Sequence, residues 1–122
     1  MIRRAALAAA LIVAACTPVP PDKGLPSARG VTLAPAAQGI AVMPTGQEIG
    51  FGRHRPGAVG AVSRVLARAP EARAPPPGCT LAAAAWPRDG LTMYFDGDAF
   101  VGWRAGGGRS FPGEPRSAGR VC

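Results

Sequence analysis

LTMYFDGDAFVGW, residues 91–103, is the stretch that decides the fold of this chain. Apolar and polar side chains alternate over residues 91–95, which is the period of a half-buried β-strand. Asp96-Gly97-Asp98 then turns the chain into a second apolar run, residues 99–103. Asp-Gly and Gly-Asp are both good two-residue hairpin loops. The stretch therefore predicts an antiparallel hairpin.

Either loop divides the side chains of this hairpin between the same two faces. One face holds Leu91, Met93, Phe95 and Phe100, and the other holds Thr92, Tyr94, Val101 and Trp103. We expect a helix to pack on the first face. Tyr94, Val101 and Trp103 would then lie on the far side, either covered by the C-terminal tail or available to a partner.

The helix is predicted upstream, over residues 56–69. Pro56 suits a first helical turn, and apolar residues follow at helical spacing: Ala58, Val59, Val62, Val65, Leu66 and Ala69. Gly57 and Gly60 each cost about 1 kcal/mol relative to alanine in a helix interior. Packing must therefore stabilise this helix.

Two further stretches predict strands. Residues 81–86 contain four alanines that favour a helix, but the run before Pro87 is short, so we interpret it as a third strand, with a single helical turn as the alternative. Residues 40–43 and 48–51 flank the turn sequence Pro44-Thr45-Gly46, which fits a small hairpin or two irregular strands. The prediction is an α+β domain over residues 39–122, with one amphipathic helix on an antiparallel sheet of about three strands.

The N-terminal residues have the pattern of an export signal. Residues 1–4 are positively charged, and the apolar run up to Ala15 is too short to span a bilayer. It ends in Val13-Ala14-Ala15-Cys16, which resembles the bacterial lipoprotein signal. The resemblance implies a signal peptide over residues 1–15, acylation of Cys16, and membrane binding through the lipid anchor. A plain secretory signal with a nearby cysteine is the alternative.

Residues 16–38 are rich in proline and weakly patterned, which predicts a disordered tether behind the lipid anchor. Thr17 follows the cysteine, at a position where aspartate favours the inner membrane in Gram-negative lipoproteins. The resemblance therefore implies the outer membrane, with the domain facing the periplasm.

The domain carries a second, weaker resemblance. Ile49-Gly50-Phe51-Gly52-Arg53, a helix ending in Val65-Leu66, Trp86 and residues 91–103 resemble small lipoproteins of proteobacteria. More distantly, they resemble barrel-assembly accessory lipoproteins and the β-lactamase-inhibitor-like fold, in which helical segments precede a three-stranded sheet. This chain departs from that family in having Gly52-Arg53-His54 in place of Gly-Met-Thr, and one helix in place of two.

The chain is basic, with a formal net charge of +7 over 122 residues. All but one of the 14 basic residues are arginine, a bias typical of a GC-rich genome. An exported, anchored protein would not meet nucleic acid. The charge therefore indicates anionic surfaces of the cell envelope, and we expect no nucleic-acid partner.

Cys79 and Cys122 are the cysteines that remain once Cys16 is acylated. An even pair in an exported chain favours a disulfide, which would stabilise a small domain by closing a long loop. An intermolecular bond through Cys122 is the rival.

No residue set predicts catalysis, a cofactor or a metal. His54 is the single histidine, and it has no acid or cysteine partner at a recognisable spacing. Turn formation explains Asp96 and Asp98, since calcium needs about six to eight oxygen ligands. Gly106-Gly107-Gly108 lacks the lysine and the strand-to-helix setting of a phosphate loop.

Two hypotheses of function follow. The first is a non-enzymatic structural or interaction module of the bacterial envelope, which contacts an envelope protein through Tyr94, Val101 and Trp103. The second is a binder, or an enzyme, that acts on an anionic envelope lipid or glycan through Arg53, His54 and Arg55.

Overall fold

A computed structural model describes residues 30–122 as an α+β unit with one helix and two antiparallel sheets. The predicted signal peptide (residues 1–15), the predicted lipidation site Cys16 and the part of the predicted tether up to residue 29 lie outside the described residues. The sheets have three and five strands, so the structure fits the predicted α+β class but has more sheet than the predicted single sheet of about three strands.

The small sheet has three strands in sequence order: β1 (Thr32–Ala36), β2 (Gly39–Met43) and β3 (Gln47–Gly50). The β2–β3 hairpin confirms the hairpin predicted around Pro44-Thr45-Gly46. β1 corrects the predicted boundary between tether and domain, because it lies inside residues 16–38 and pairs with β2. Pro35, which made this stretch unlike a strand, is tolerated because β1 is an edge strand.

The large sheet has five strands in sequence order. They are β4 (Glu71–Arg73), β5 (Ala82–Trp86), β6 (Leu91–Asp96), β7 (Ala99–Ala105) and β8 (Arg116–Gly119). β5 confirms the third strand over the alternative helical turn, and the β6–β7 hairpin is present as predicted. β4 and β8 are short edge strands held by backbone pairing, which leaves little hydrophobic pattern in their sequences.

The helix α1 (Arg55–Leu66) has Pro56 in its first turn, as predicted. It ends before the predicted Ala69, because Ala67 takes a left-handed conformation with φ of 54° and the Arg68 N–H donates to the Ser63 carbonyl at 3.1 Å. The Trp86 indole N–H donates to the Arg68 carbonyl at 2.9 Å. These two bonds turn the chain out of the helix and toward β4.

One hydrophobic cluster joins α1, the small sheet and the inner face of the large sheet. Its fully buried large side chains are Trp86, Phe95, Phe100, Ile40, Ile49, Leu91, Met93 and Val62. Ala58 and Val62 contribute the buried apolar face of the helix, and Val59 and Leu66 are partly buried beside them. Packing on this cluster compensates for the weak propensity of a helix that contains Gly57 and Gly60.

A β-bulge in β7 overturns the predicted position of Trp103. Phe95 pairs with Phe100, but Tyr94 pairs with Gly102, so Val101 is an extra residue that shifts the register. Trp103 therefore lies opposite Met93 on the core face, where it is 4% exposed. Its indole N–H donates to the Ala36 carbonyl at 2.8 Å. Trp103 thus anchors the small sheet and is not available to a partner.

Candidate functional site

The outer face of the large sheet carries small side chains at its centre and arginines at its margins. The register places Arg73, Ala83, Tyr94 and Gly102 in one row across the strands, and Ala85, Thr92 and Arg104 in the next. Directly paired residues of antiparallel strands point to the same face. Arg73 and Arg104 therefore flank a floor of small residues from opposite sides.

The C-terminal tail covers one part of this face. The Arg120 N–H donates to the carbonyl of the bulged Val101 at 2.8 Å, and Val121 and Cys122 pack against a cluster of Leu81, Ala83 and Tyr94. Gly102 permits the crossing, because a Cβ atom there would collide with the backbone of Arg120. The sequence predicted that Tyr94 and Val101 would be either covered by the C-terminal tail or available to a partner. In the structure, the tail packs against both residues.

A disulfide bond joins Cys79 to Cys122, whose Cα atoms are 5.8 Å apart. Cys79 follows the proline-rich loop of residues 74–78, which leaves β4, and Cys122 lies in the tail. The bond therefore connects the loop on one side of the outer face to the tail that crosses it.

Between the loop and the tail lies a groove of about 290 Å³. We call it the outer groove and define it by Arg73, Pro75, Ala83, Thr92, Tyr94 and Arg104. Tyr94 is 7% exposed, and its hydroxyl makes none of the side-chain hydrogen bonds found within the described domain. The hydroxyl oxygen is not among the buried polar atoms that lack a partner in the described domain, so it reaches the surface of the groove and can bond to water or a ligand.

Both arginines of the outer groove keep unused hydrogen-bond donors. Arg104 Nη2 donates to the main-chain oxygen of Cys122 at 3.1 Å, and Arg73 Nη2 lies 3.8 Å from the Glu71 carboxylate in an exposed pair. A guanidinium group has five N–H donors, and an exposed ion pair contributes little. The groove therefore presents two cationic forks and two hydroxyl groups, those of Thr92 and Tyr94.

A second polar cluster surrounds the buried Asp89, in the turn between β5 and β6. Ser110 Oγ donates to Asp89 Oδ1 at 2.7 Å, and Arg68 Nε lies 3.7 Å from Asp89 Oδ2. The N–H of Phe111 donates to the Asp89 carbonyl at 3.1 Å. These contacts hold the loop after β7 against the β5–β6 turn and the end of α1. The sequence shows Asp89 only as a turn residue, so its buried pairing could not be predicted.

Arg53, His54 and Arg55, the predicted anion contacts, precede or begin α1 and are not gathered around a cavity. Arg53 and His54 are exposed, and four cavities of the described domain, with volumes of about 210 to 540 Å³, include none of the three residues. The Arg55 guanidinium carbon lies 5.1 Å from the centre of the Phe95 ring, in a cation–π contact. Arg55 thus closes one end of the core.

Residues 30–122 contain no group of three or more His, Cys, Asp or Glu side chains that could hold a metal ion. No helix in this range has the length and the apolar character that crossing a membrane requires.

Comparisons of the chain with protein families, with curated proteins and with solved structures give no match.

Proposed function

We propose that this protein is a lipid-anchored, non-enzymatic binding module of the bacterial cell envelope, and that the outer groove is its binding site. The signal-like residues 1–15 and Cys16 supply the anchor, and a proline-rich tether holds the domain on the periplasmic side of the outer membrane.

The composition of the outer groove carries this proposal. Its polar groups are guanidinium and hydroxyl groups, which bind ligands through hydrogen bonds and charge. Nucleophilic catalysis needs a nucleophile within hydrogen-bond reach of a base, and the side chains that line this groove include no histidine, aspartate or glutamate to act as that base. Binding without turnover is the function that fits these groups.

The proposed location is supported by the sequence before Cys16 and by the disulfide. Disulfide bonds form and persist in exported proteins and are rare in reducing compartments. The Cys79–Cys122 bond thus agrees with an exported domain. Because Trp103 is buried, the interaction surface moves from the predicted Tyr94–Trp103 face to the groove beside Tyr94.

Labelling with a tagged fatty acid in a bacterial host tests the anchor. We expect the wild-type protein to incorporate label and to sediment with the outer membrane, and the Cys16→Ser variant to lose both properties. The Cys79→Ser variant is the matched control, because it removes a cysteine that the anchor does not use. Equal labelling of wild-type protein and Cys16→Ser would contradict the proposal.

A further inference from the structure

We infer that the outer groove binds a phosphate group carried on a glycerol or sugar unit of the envelope. The inference deepens the proposed function and relies on it for the source of the ligand. Phosphate binding by the purified protein is nevertheless measurable whether or not Cys16 is acylated, so the two proposals can fail separately.

The two arginines explain why the ligand is an anion. Arg73 and Arg104 are the charged side chains of the groove lining, and no aspartate or glutamate side chain lies among the lining residues. Arg73 has only the exposed, 3.8 Å pair with Glu71, and Arg104 uses one donor on the main-chain oxygen of Cys122, which leaves its other N–H groups unpaired in the described domain. An anion between the two guanidinium groups would form charge-assisted hydrogen bonds, the stronger class in proteins.

The number of donors favours phosphate over carboxylate. A single arginine fork is sufficient to satisfy both oxygens of a carboxylate. The outer groove offers two such forks, together with the hydroxyl groups of Thr92 and Tyr94. A phosphate group brings more acceptor oxygens than a carboxylate, and it can engage both arginines at once while accepting a hydrogen bond from a hydroxyl group.

The lining and the volume of the groove indicate that the phosphate is attached to a small polyol. Pro75, Leu81 and Ala83 supply apolar lining beside the arginines, and the volume of about 290 Å³ leaves room for a small polyol next to the phosphate. The disulfide fixes the loop and the tail relative to each other before any ligand arrives. Such preorganisation reduces the entropy that binding must overcome.

Titration of the full chain carrying Cys16→Ser tests this inference. The probes are glycerol 3-phosphate, sodium acetate at the same ionic strength, and vesicles of phosphatidylglycerol or phosphatidylcholine. Amide and arginine side-chain NMR signals report the position of binding. We expect glycerol 3-phosphate to shift the signals of Arg73, Thr92, Tyr94 and Arg104, and acetate to shift them much less.

Two charge-matched double variants decide whether the site is specific. Arg73→Gln with Arg104→Gln should weaken glycerol 3-phosphate binding by roughly tenfold or more, since each arginine contributes charge-assisted hydrogen bonds. Arg64→Gln with Arg116→Gln removes the same charge from exposed positions outside the groove and should leave the affinity within about twofold. All four side chains are at exposed positions, so both variants should keep the wild-type amide spectrum.

The vesicles identify the source of the phosphate. Binding to phosphatidylglycerol vesicles that depends on Arg73 and Arg104 supports a lipid headgroup, and binding to glycerol 3-phosphate alone supports a phosphorylated glycan or a free phosphate ester. Equal weakening in both double variants, or equal binding of acetate and glycerol 3-phosphate, would overturn the inference. Absence of binding to every probe would also overturn it.

Discussion

Gly102 and Trp103 are adjacent in β7, but their contacts lie on opposite faces of the large sheet. The tail crosses so close to Gly102 that a Cβ atom there would meet the backbone of Arg120. Trp103 is buried in the core and donates its indole N–H to Ala36, so it connects the two sheets. Gly102 thus lies on the outer face, beside the groove, and the next residue, Trp103, makes the contact that joins the two sheets.

Replacing Trp103 by alanine should destabilise the domain by about 3–5 kcal/mol, because it leaves a cavity in the core and an unpaired carbonyl at Ala36. Urea unfolding followed by circular dichroism measures the change. Trp103→Phe is the graded control and should lose less, since it keeps most of the ring volume. A Trp103→Ala protein as stable as wild type would place this side chain on the surface.

Gly102→Ala should also destabilise the domain, by about 1–3 kcal/mol, because the added methyl group must push the tail away from β7. Gly60→Ala is the matched control. It adds the same methyl group inside α1, where no atom beyond the adjacent residues and the helix's own backbone lies within 4 Å of the new Cβ, and it should stabilise the protein by up to about 1 kcal/mol. Equal effects of the two substitutions in chemical unfolding would exclude a tail seated over Gly102.

Among the elements, those with strong periodicity were predictable from the sequence. The alternation in residues 91–95 and the helical spacing after Pro56 predicted β6, β7 and α1, since each buries an apolar face that leaves a period in the sequence. β1, β4 and β8 were missed because edge strands are held by backbone hydrogen bonds, which leave no such pattern. The bulge at Val101 was missed because a two-residue loop predicts regular pairing along the whole hairpin.

The candidate site was less predictable for a related reason. The resemblance to lipoprotein signals and the even cysteine pair led to Cys79 and Cys122, which the structure brings to disulfide distance. Arg73 and Arg104 are distant in the chain, and only the pairing of β4 through β7 brings them to one face. A single sequence carries no signal for such a juxtaposition.

The loop after β7 depends on the Asp89 cluster for its position. Asp89→Ala should destabilise the domain by about 1–3 kcal/mol, because it removes the acceptor for Ser110 and leaves the half-buried Arg68 without its partner. Asp98→Ala is the control, since that carboxylate is exposed and makes no side-chain hydrogen bond within the described domain. Hydrogen exchange should show faster exchange of the Phe111 amide in Asp89→Ala alone. Unchanged protection of that amide would contradict the role assigned to the cluster.

For the whole molecule, the disulfide should both stabilise the domain and hold the loop and the tail that line the outer groove. Cys79 and Cys122 are 43 residues apart in sequence, and closing such a loop stabilises a domain by about 4 kcal/mol in the chain-entropy model. The paired variant Cys79→Ser with Cys122→Ser should lose up to that amount in urea unfolding and should bind glycerol 3-phosphate more weakly. Cys16→Ser is the matched control and should change neither quantity. A paired variant with wild-type stability would show that the tail holds its place without the bond.

The outer groove is the proposed binding site of this protein. Intermolecular nuclear Overhauser effects between glycerol 3-phosphate and the protein test it most directly, because they report which protons lie near the bound glycerol. We predict effects from the glycerol protons to the Tyr94 ring and the Thr92 methyl group. Effects confined to residues at the start of α1, including His54, would contradict the claim and would restore the anion site first predicted at Arg53, His54 and Arg55.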